Sequence, residues 1–476
     1  MATTDSTPGA RVLADLPSDA IQSFEADCSG DLVFPTDEEY DRSRQIWNGM
    51  IDRYPAIVVR CAGTADVVAA VNFAREQGLE VSVRGGGHNV AGTAVRDGAI
   101  VVDLTDMNGA RVDPEARTVR VEGGATLGDV DAETQLFGLA TALGAVSQTG
   151  VAGLTLNGGY GHLSRQYGLA LDNLVSVDVV TADGTVHTAS ADRNEDLFWG
   201  IRGGGGAFGV VTSFEYALHD VGPEVYALFT WFDVDDAAPV ISAYREWIQA
   251  APREAGVLAF TAHVPELEEF PEGSWGDPAL AFFGSFRGDL DDADRVFRPL
   301  VDAATPIADL SGPMAYVDLQ SMLDEDYPDG LRYYWKSVYL TEITDEVVDL
   351  VIRYTEDAPS SLSTIDLWHL GDAVAEVSRN ETAFWHRDKP YMLNFEANWP
   401  ESDDDDVNVN WAREGIAEAR ELSTASGGYG NFPGLNEDPA TQLYGENYER
   451  LVDLKTTYDP ETLFPANGAI APRAEE

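Results

Sequence analysis

Three glycine-rich stretches lie between residues 84 and 211, and the first of them runs into a histidine. It reads Arg84-Gly85-Gly86-Gly87-His88-Asn89 and follows the alternating run Glu80–Arg84. Glycine reaches positive φ and lets a ligand approach the main chain closely. Successive amide N–H groups in such a turn make an anion nest suited to a diphosphate. Arg84 adds a cation, and His88 sets a nucleophilic imidazole beside the cradle. The second stretch carries Thr149, Gly150, Val151, Gly153, Gly158, Gly159 and Gly161; the third runs from Arg202 through four glycines to Gly209 and Val210. Together they point to one large ligand wrapped by backbone. No Gly-Lys-Ser/Thr follows any of them, which excludes a P-loop, and the spacing does not fit a lone G-x-G-x-x-G helix entry. Each run alone would also suit a tight turn, and His88 alone a loop histidine bonded to main chain.

A second set of polar residues sits in Tyr391–Trp399. Period-two alternation puts Asn394, Glu396 and Asn398 on one face of a strand. Glu396 could serve there as a base, against the competing reading of a solvated sheet carboxylate. The remaining histidines, His162, His187, His219, His263, His369 and His386, are scattered without metal-ligand spacing. The acidic run Asp289–Asp294 lacks the glycine that a calcium loop needs at the place of Asp294. No metal site is expected.

The elements that must position these groups follow from hydrophobic periodicity. Ala56–Arg60 reads as a buried strand. A helix capped by Thr64 follows, with Val67, Val68, Val71 and Ala74 on one face and Gly78 at its end. Glu80–Arg84 completes a β-α-β unit. Ala99–Asp103 and Thr118–Val121 are further strands, and Val175–Val180, Asp183-Gly184 and Val186–Thr188 make a hairpin. Near residue 220 the texture changes. Val225–Phe232, Val257–His263, Leu280–Phe286 and Tyr391–Trp399 read as strands, with helices in 238–250, 291–304 and 407–423, an antiparallel sheet with helices on one side. Tyr444–Thr457 reads as a final helix. Residues 1–40 are expected to be a polar, partly ordered lead-in.

The chain has 476 residues, enough for two domains, and 30 basic against 82 acidic residues give a net charge of −52. Such a surface repels phosphate backbones and anionic bilayers, so neither nucleic acid nor membrane is an expected partner. Only Lys336, Lys389 and Lys455 are lysines. This composition suits a salt-rich cytoplasm of the haloarchaeal kind, where charge repulsion is screened. Cys28 and Cys61 are the only cysteines, too few for a disulfide framework. The first thirty residues show no basic segment followed by an apolar run, and a cytoplasmic location is expected.

The chain resembles the berberine-bridge-enzyme-like FAD-linked oxidases, within the vanillyl-alcohol-oxidase type of flavoprotein. The resemblance rests on RGGGHNVAG, TGVAGLTLNGGYG, YGLALDNLVSVDVVTADG, DLFWGIRGGGGAFGVV and YGENYERLVDLKTTYDPETLF. It implies an α+β architecture: a two-part FAD-binding domain (1–217 and 439–476) with a substrate domain (218–438) inserted, built on an antiparallel sheet covered by helices. It implies FAD held at the glycine loop, with one covalent link through His88. Relatives with a second, cysteinyl link carry Cys where this chain has Val146. Val151 matches a site associated with oxygen access, and Asn447 and Asn467 match positions close to the flavin ring; a further asparagine of the pattern is Ala469 here. Asn394 matches a strand position that carries a catalytic Glu or Gln in relatives. Asparagine cannot act as a base, so Glu396 and Tyr444 become the candidates, with Tyr160 and Tyr429 as aromatic walls. The implied reaction takes a hydride from an alcohol, a sugar or polyol hydroxyl, to flavin N5, with a small-molecule substrate and O2 as partners and H2O2 as product. An amine oxidase of the hydroxynicotine-oxidising kind and a catalytically decayed flavin-binding protein are the alternatives. Oligomeric state is left open.

Overall fold

The computed structural model describes residues 7–465 and 470–474. The apolar runs Ile57–Arg60 and Val81–Arg84 flank Ile100–Asp103 in a parallel sheet. Parallel strands are covered on both faces, which is why they read as nearly continuous Val and Ile. The helix Thr64–Gln77 turns Val67, Ala70, Val71 and Ala74 inward and ends at Gly78 with φ of 67°. Gly63, not Thr64, is its N-cap residue, and no side chain caps it. Instead Asp66 reaches back from the first turn and accepts from the amides of Ser29, Gly30 and Ala62 at 2.8, 3.0 and 2.8 Å. That carboxylate anchors the N-terminal segment. The expected loose lead-in therefore holds two helices, Pro8–Asp15 and Ser18–Asp27, and Phe24 stacks on Phe73 with centroids 4.3 Å apart.

A five-stranded antiparallel sheet follows in the order Ala110–Asp113, Thr118–Glu122, Val210–Ala217, Leu174–Val180, Val186–Ser190. The expected hairpin is its outer edge, closed by Gly184 at φ of 79°.

From Glu224 onward nine strands form one antiparallel sheet, and the helices Ala237–Trp247, Ala293–Val301, Asp345–Glu356 and Asp405–Glu421 pack on one face of it. Alternation decides what each face carries. Ile365, Leu367, Leu393, Phe395, Ala397 and Trp399 join the helix-covered core. Asp366, Asn394, Glu396 and Asn398 occupy the intervening positions and belong to the opposite face. Two central strands, Arg332–Leu340 and Thr364–His369, flank Tyr391–Trp399 and were not expected from the sequence. The first carries Arg332 and Lys336 within its apolar run, and the second is only six residues long.

The expected helix Tyr444–Thr457 is two pieces, Ala440–Tyr444 and Tyr448–Tyr458, because the chain turns at Gly445 with φ of 50°. The second piece holds Lys455, which is 1% exposed. Its Nζ donates to the carbonyls of Ala207 and Phe464 at 2.8 and 2.7 Å and pairs with Asp459 at 2.6 Å. Ala207 belongs to the third glycine stretch, so this lysine pins the C-terminal segment onto it. Replacing Lys455 by Met leaves the wholly buried Asp459 carboxylate with amide donors alone. The expected loss is about 3–5 kcal/mol, read as a lowered chemical-denaturation midpoint.

Candidate active site

A cavity opens where the parallel sheet, the five-stranded sheet and the large antiparallel sheet meet. Gly85, Gly86, Gly87, His88 and Asn89 line it from the end of Val81–Arg84, and Thr149, Gly150, Ala152 and Gly153 line it from the second glycine stretch. The two loops touch main chain to main chain. A Cβ on Gly86 would lie 2.6 Å from Gly150 Cα, and one on Gly150 2.7 Å from Gly86 Cα, so neither position admits a side chain. Gly87 has φ of 73°, which only glycine adopts freely. Gly153 and Gly206 also line the cavity, and a Cβ on either would meet no protein atom within 4 Å.

The far end is aromatic and acidic. Trp47, Tyr160, Tyr327, Trp335, Trp368, Tyr429 and Phe432 contribute rings there, and Asp366 and Glu396 contribute carboxyl groups. The His88 ring stacks on Trp47 at 5.0 Å and 13°. Burial lowers its pKa to about 4, so at neutral pH it is an uncharged imidazole with a free lone pair. Asp366 and Glu396 are each 3% exposed and sit on neighbouring strands, with Asp366 opposite Asn394 and Thr364 opposite Glu396. Burial pushes Asp366 up to about 7; burial and then the charge of Asp366 push Glu396 well above the usual carboxylate range. Two buried carboxyl groups this close ionise as a pair rather than independently. Glu396 accepts from Tyr327 Oη at 2.9 Å and from Asn394 Nδ2 at 2.6 Å. The Tyr429 phenol oxygen accepts from the Gly159 amide at 2.9 Å and from Asn431 Nδ2 at 3.0 Å, and burial raises its pKa.

Residues 55–190 match the family described as FAD binding domain, and residues 428–471 the family described as berberine and berberine like. An FAD-linked oxidoreductase of Dictyostelium discoideum is 30% identical over 443 residues, covering 91% of this chain and 93% of that protein. The chain belongs to the berberine-bridge-enzyme-like FAD-linked oxidoreductases. Two further relatives are (R)-6-hydroxynicotine oxidase of Paenarthrobacter nicotinovorans, 30% identical over 93% of this chain and 97% of its own, and glucooligosaccharide oxidase of Sarocladium strictum, 29% identical over 90% and 89%. Among solved structures, the 6-hydroxy-D-nicotine oxidase of Arthrobacter nicotinovorans superposes with a TM-score of 0.81 at 28% identity, covering 92% of this chain and 96% of that one. BBE-like 1 of Physcomitrella patens gives 0.85 at 24% identity, covering 96% and 100%, and shows the shared fold.

The cavity fits the FAD of this family. Bare glycine backbone faces the ligand space, and Ser82 lines it with a buried Oγ that has no protein partner. Such a hydroxyl and the loop amides suit a chain of phosphate and sugar oxygens. Val81, Val83, Ala94, Leu104 and Phe464 supply apolar walls at the same end, and Arg96 is the one lysine or arginine among the lining residues.

Several expected contacts are placed elsewhere. Arg84 does not line the cavity: it is paired with the buried Asp103 and donates to the carbonyls of Ser43 and Gln45 at 2.6 and 3.0 Å. Val151 is wholly buried in the first turn of Val151–Leu156, so the residue expected to govern oxygen access faces the core rather than the cavity. Val210 is likewise in the core, while Gly209 and Val211 line the cavity. Gly158, Gly159 and Gly161 build the wall from behind; Gly158 and Gly159 have φ of 138° and 80°. Tyr444 is packed among apolar side chains away from the cavity, with no cation acting on it, and burial alone raises its pKa, so it is no tyrosinate base. Asn447 does not reach the cavity either; its Nδ2 donates to the carbonyls of Arg379, Thr382 and Ala383 at 3.0, 3.2 and 3.3 Å. Asn394 is buried behind Glu396 as its donor. Asn467 and Ala469 lie outside the described residues. Asp366, Tyr327 and Trp47 were missed. The alternation of Asp366 and Trp368 with Ile365 and Leu367 was the available signal for the first.

A methyl group at residue 86 would force the two loops apart. Gly86→Ala is expected to yield protein that retains no FAD through gel filtration, seen as loss of flavin absorbance, with a stability loss of about 1–3 kcal/mol.

Proposed function

We propose that this FAD-linked oxidase removes a hydride from a carbon bearing a neutral hydroxyl, with O2 as final acceptor and H2O2 as product. The observation that carries this reading is the buried Asp366–Glu396 pair facing the cavity. An alcohol releases hydride readily only when its O–H proton leaves as well, and that proton needs a base. A neutral amine has a nitrogen lone pair to drive the same step and needs no base as the hydride leaves. A buried carboxyl pair with an ionisation near 7 is matched to that task. Bound FAD supplies the two-electron acceptor. The Gly85–Asn89 and Thr149–Gly153 loops with Ser82 would hold it, and the substrate would enter among Trp335, Trp368, Tyr429 and Phe432. The sugar-oxidising relative supports the alcohol reading, as the acid pair does.

The base works ionised, so anaerobic flavin bleaching by an alcohol should rise with pH through about 7 and fall away below it. Asp366→Asn should slow that bleaching by about 10²–10⁴-fold. Sugars, simple alcohols and amines offered in turn under argon give the decisive comparison. Bleaching by amines alone overturns the alcohol reading, and bleaching by dithionite alone replaces it with a decayed flavin protein.

We also propose that His88 carries the flavin covalently. Its uncharged imidazole lines the cavity, and among the described residues it makes no hydrogen bond that would occupy the ring nitrogens. Acid-precipitated polypeptide should stay yellow, and His88→Ala should give a colourless pellet; a yellow His88→Ala pellet would refute the link.

A further inference from the structure

We propose that Tyr327 is a positioning residue that sets the proton affinity of the Asp366–Glu396 pair, an inference that rests on the alcohol-oxidising reading above. Tyr327 lies in the crossing between the helix Tyr316–Ser321 and the strand Arg332–Leu340. That crossing is tied down at several points. The Asp324 carboxylate accepts from Ser147 N at 2.8 Å and from Ser147 Oγ at 2.5 Å, next to the second glycine stretch. The Tyr327 carbonyl accepts from the Trp47 indole at 2.8 Å, and the Gly330 amide donates to the Trp47 carbonyl at 2.9 Å. Trp47 in turn is sandwiched between His88 and Tyr333, at 5.0 and 3.6 Å. The crossing therefore delivers the Tyr327 hydroxyl to Glu396 Oε2 from a fixed frame that also beds the His88 ring.

The environment of the pair makes that one donor consequential. On the strand to one side stand Thr364, Asp366 and Trp368; on the strand to the other side Tyr333 and Trp335; above them the crossing brings Tyr327 and Asp326. All of these are neutral or acidic. No cation faces the pair from these elements, so its negative charge is held by hydrogen bonds alone. Tyr327 serves one Glu396 oxygen and Asn394 the other. A donor to a carboxylate favours the charged form. Removing the phenol hydroxyl withdraws one of the two donors to Glu396 and makes the pair harder to ionise, so the base stays protonated to higher pH. A tyrosine that merely filled the wall would leave the titration in place.

The pair can be titrated without any substrate. In pH-difference infrared spectra of the holoenzyme, a buried carboxylic acid C=O band should disappear with a midpoint near 7, and Asp366→Asn should remove or displace it, which assigns it. Tyr327→Phe should move that midpoint up by about one unit. Site-specific 3-fluorotyrosine at position 327, a stronger donor of nearly the same size, should move it down. The opposed directions distinguish the role from a folding defect, since the fluorinated protein keeps the ring and its packing. Midpoints unchanged in both proteins, with the Asp366-assigned band still present, overturn the role of Tyr327 and leave the alcohol reading standing. The absence of any Asp366-dependent band near neutrality overturns the carboxyl-pair base itself.

Discussion

Two main chains that touch with no side chain between them set the geometry of this site. Gly86 and Gly150 each lie where a Cβ on the other would collide with backbone. Each glycine costs about 0.5–1 kcal/mol of extra chain entropy on folding. The contact brings two loops together so that their amides face one cavity. The parallel sheet fixes one loop, since Gly85 follows directly on the strand Val81–Arg84. The capping box of the helix Leu127–Gln135 steadies the other: the Leu127 amide donates to the Thr149 carbonyl at 2.9 Å, and Thr126 and Asp129 exchange bonds across the same turn.

The opposite wall is a sheet face with a divided character. One set of alternate residues, including Leu393, Phe395 and Ala397, is buried under helices and stabilises the large sheet. The other set places Asp366 and Glu396 out of bulk water. Burying a lone carboxylate is costly, and burying two side by side is worse. Burial pushes both above the usual carboxylate range, and the charge of Asp366 pushes Glu396 further, which favours the uncharged form. The Tyr327 hydroxyl and the Asn394 amide then offset part of the remaining cost. A fold maintains such a pair only where the surrounding packing is strong enough to hold it, and the continuous apolar core behind these strands supplies that strength.

What was legible in the sequence follows from what kind of constraint each residue carries. Glycine loops are written in residue type, because a close backbone approach or a positive φ admits little else; Gly85, Gly86, Gly87 and Gly150 could be placed from the sequence for that reason. The face of Tyr391–Trp399 was legible too, because period two is local. Asp366 was not. Its strand is short, and its relation to Glu396 exists only through the register of two strands about thirty residues apart in sequence. Tyr444 and Asn447 were misread for another reason. They occupy motif positions, but a motif does not state where its side chains point: Tyr444 packs among apolar side chains, and Asn447 donates to the carbonyls of Arg379, Thr382 and Ala383.

Arg84 shows how charge is used in this chain. Its neighbour in the parallel register is Asp103, so two strands that end in Arg and Asp place their ends side by side and pair them. Lys336, Lys455, Arg165 and Arg387 behave alike: each is at most 5% exposed and tied to a carboxylate. With 30 cations against 82 acids, these cations lie inside, where an unpaired buried carboxylate would be most costly. A cradle for a diphosphate in such a chain must then be made mainly of main-chain amides. Amides suit an acidic protein well. They add no charge that neighbouring carboxylates could draw away, and a direct N–H bond to a buried anion is little affected by the ionic strength that screens exposed charges.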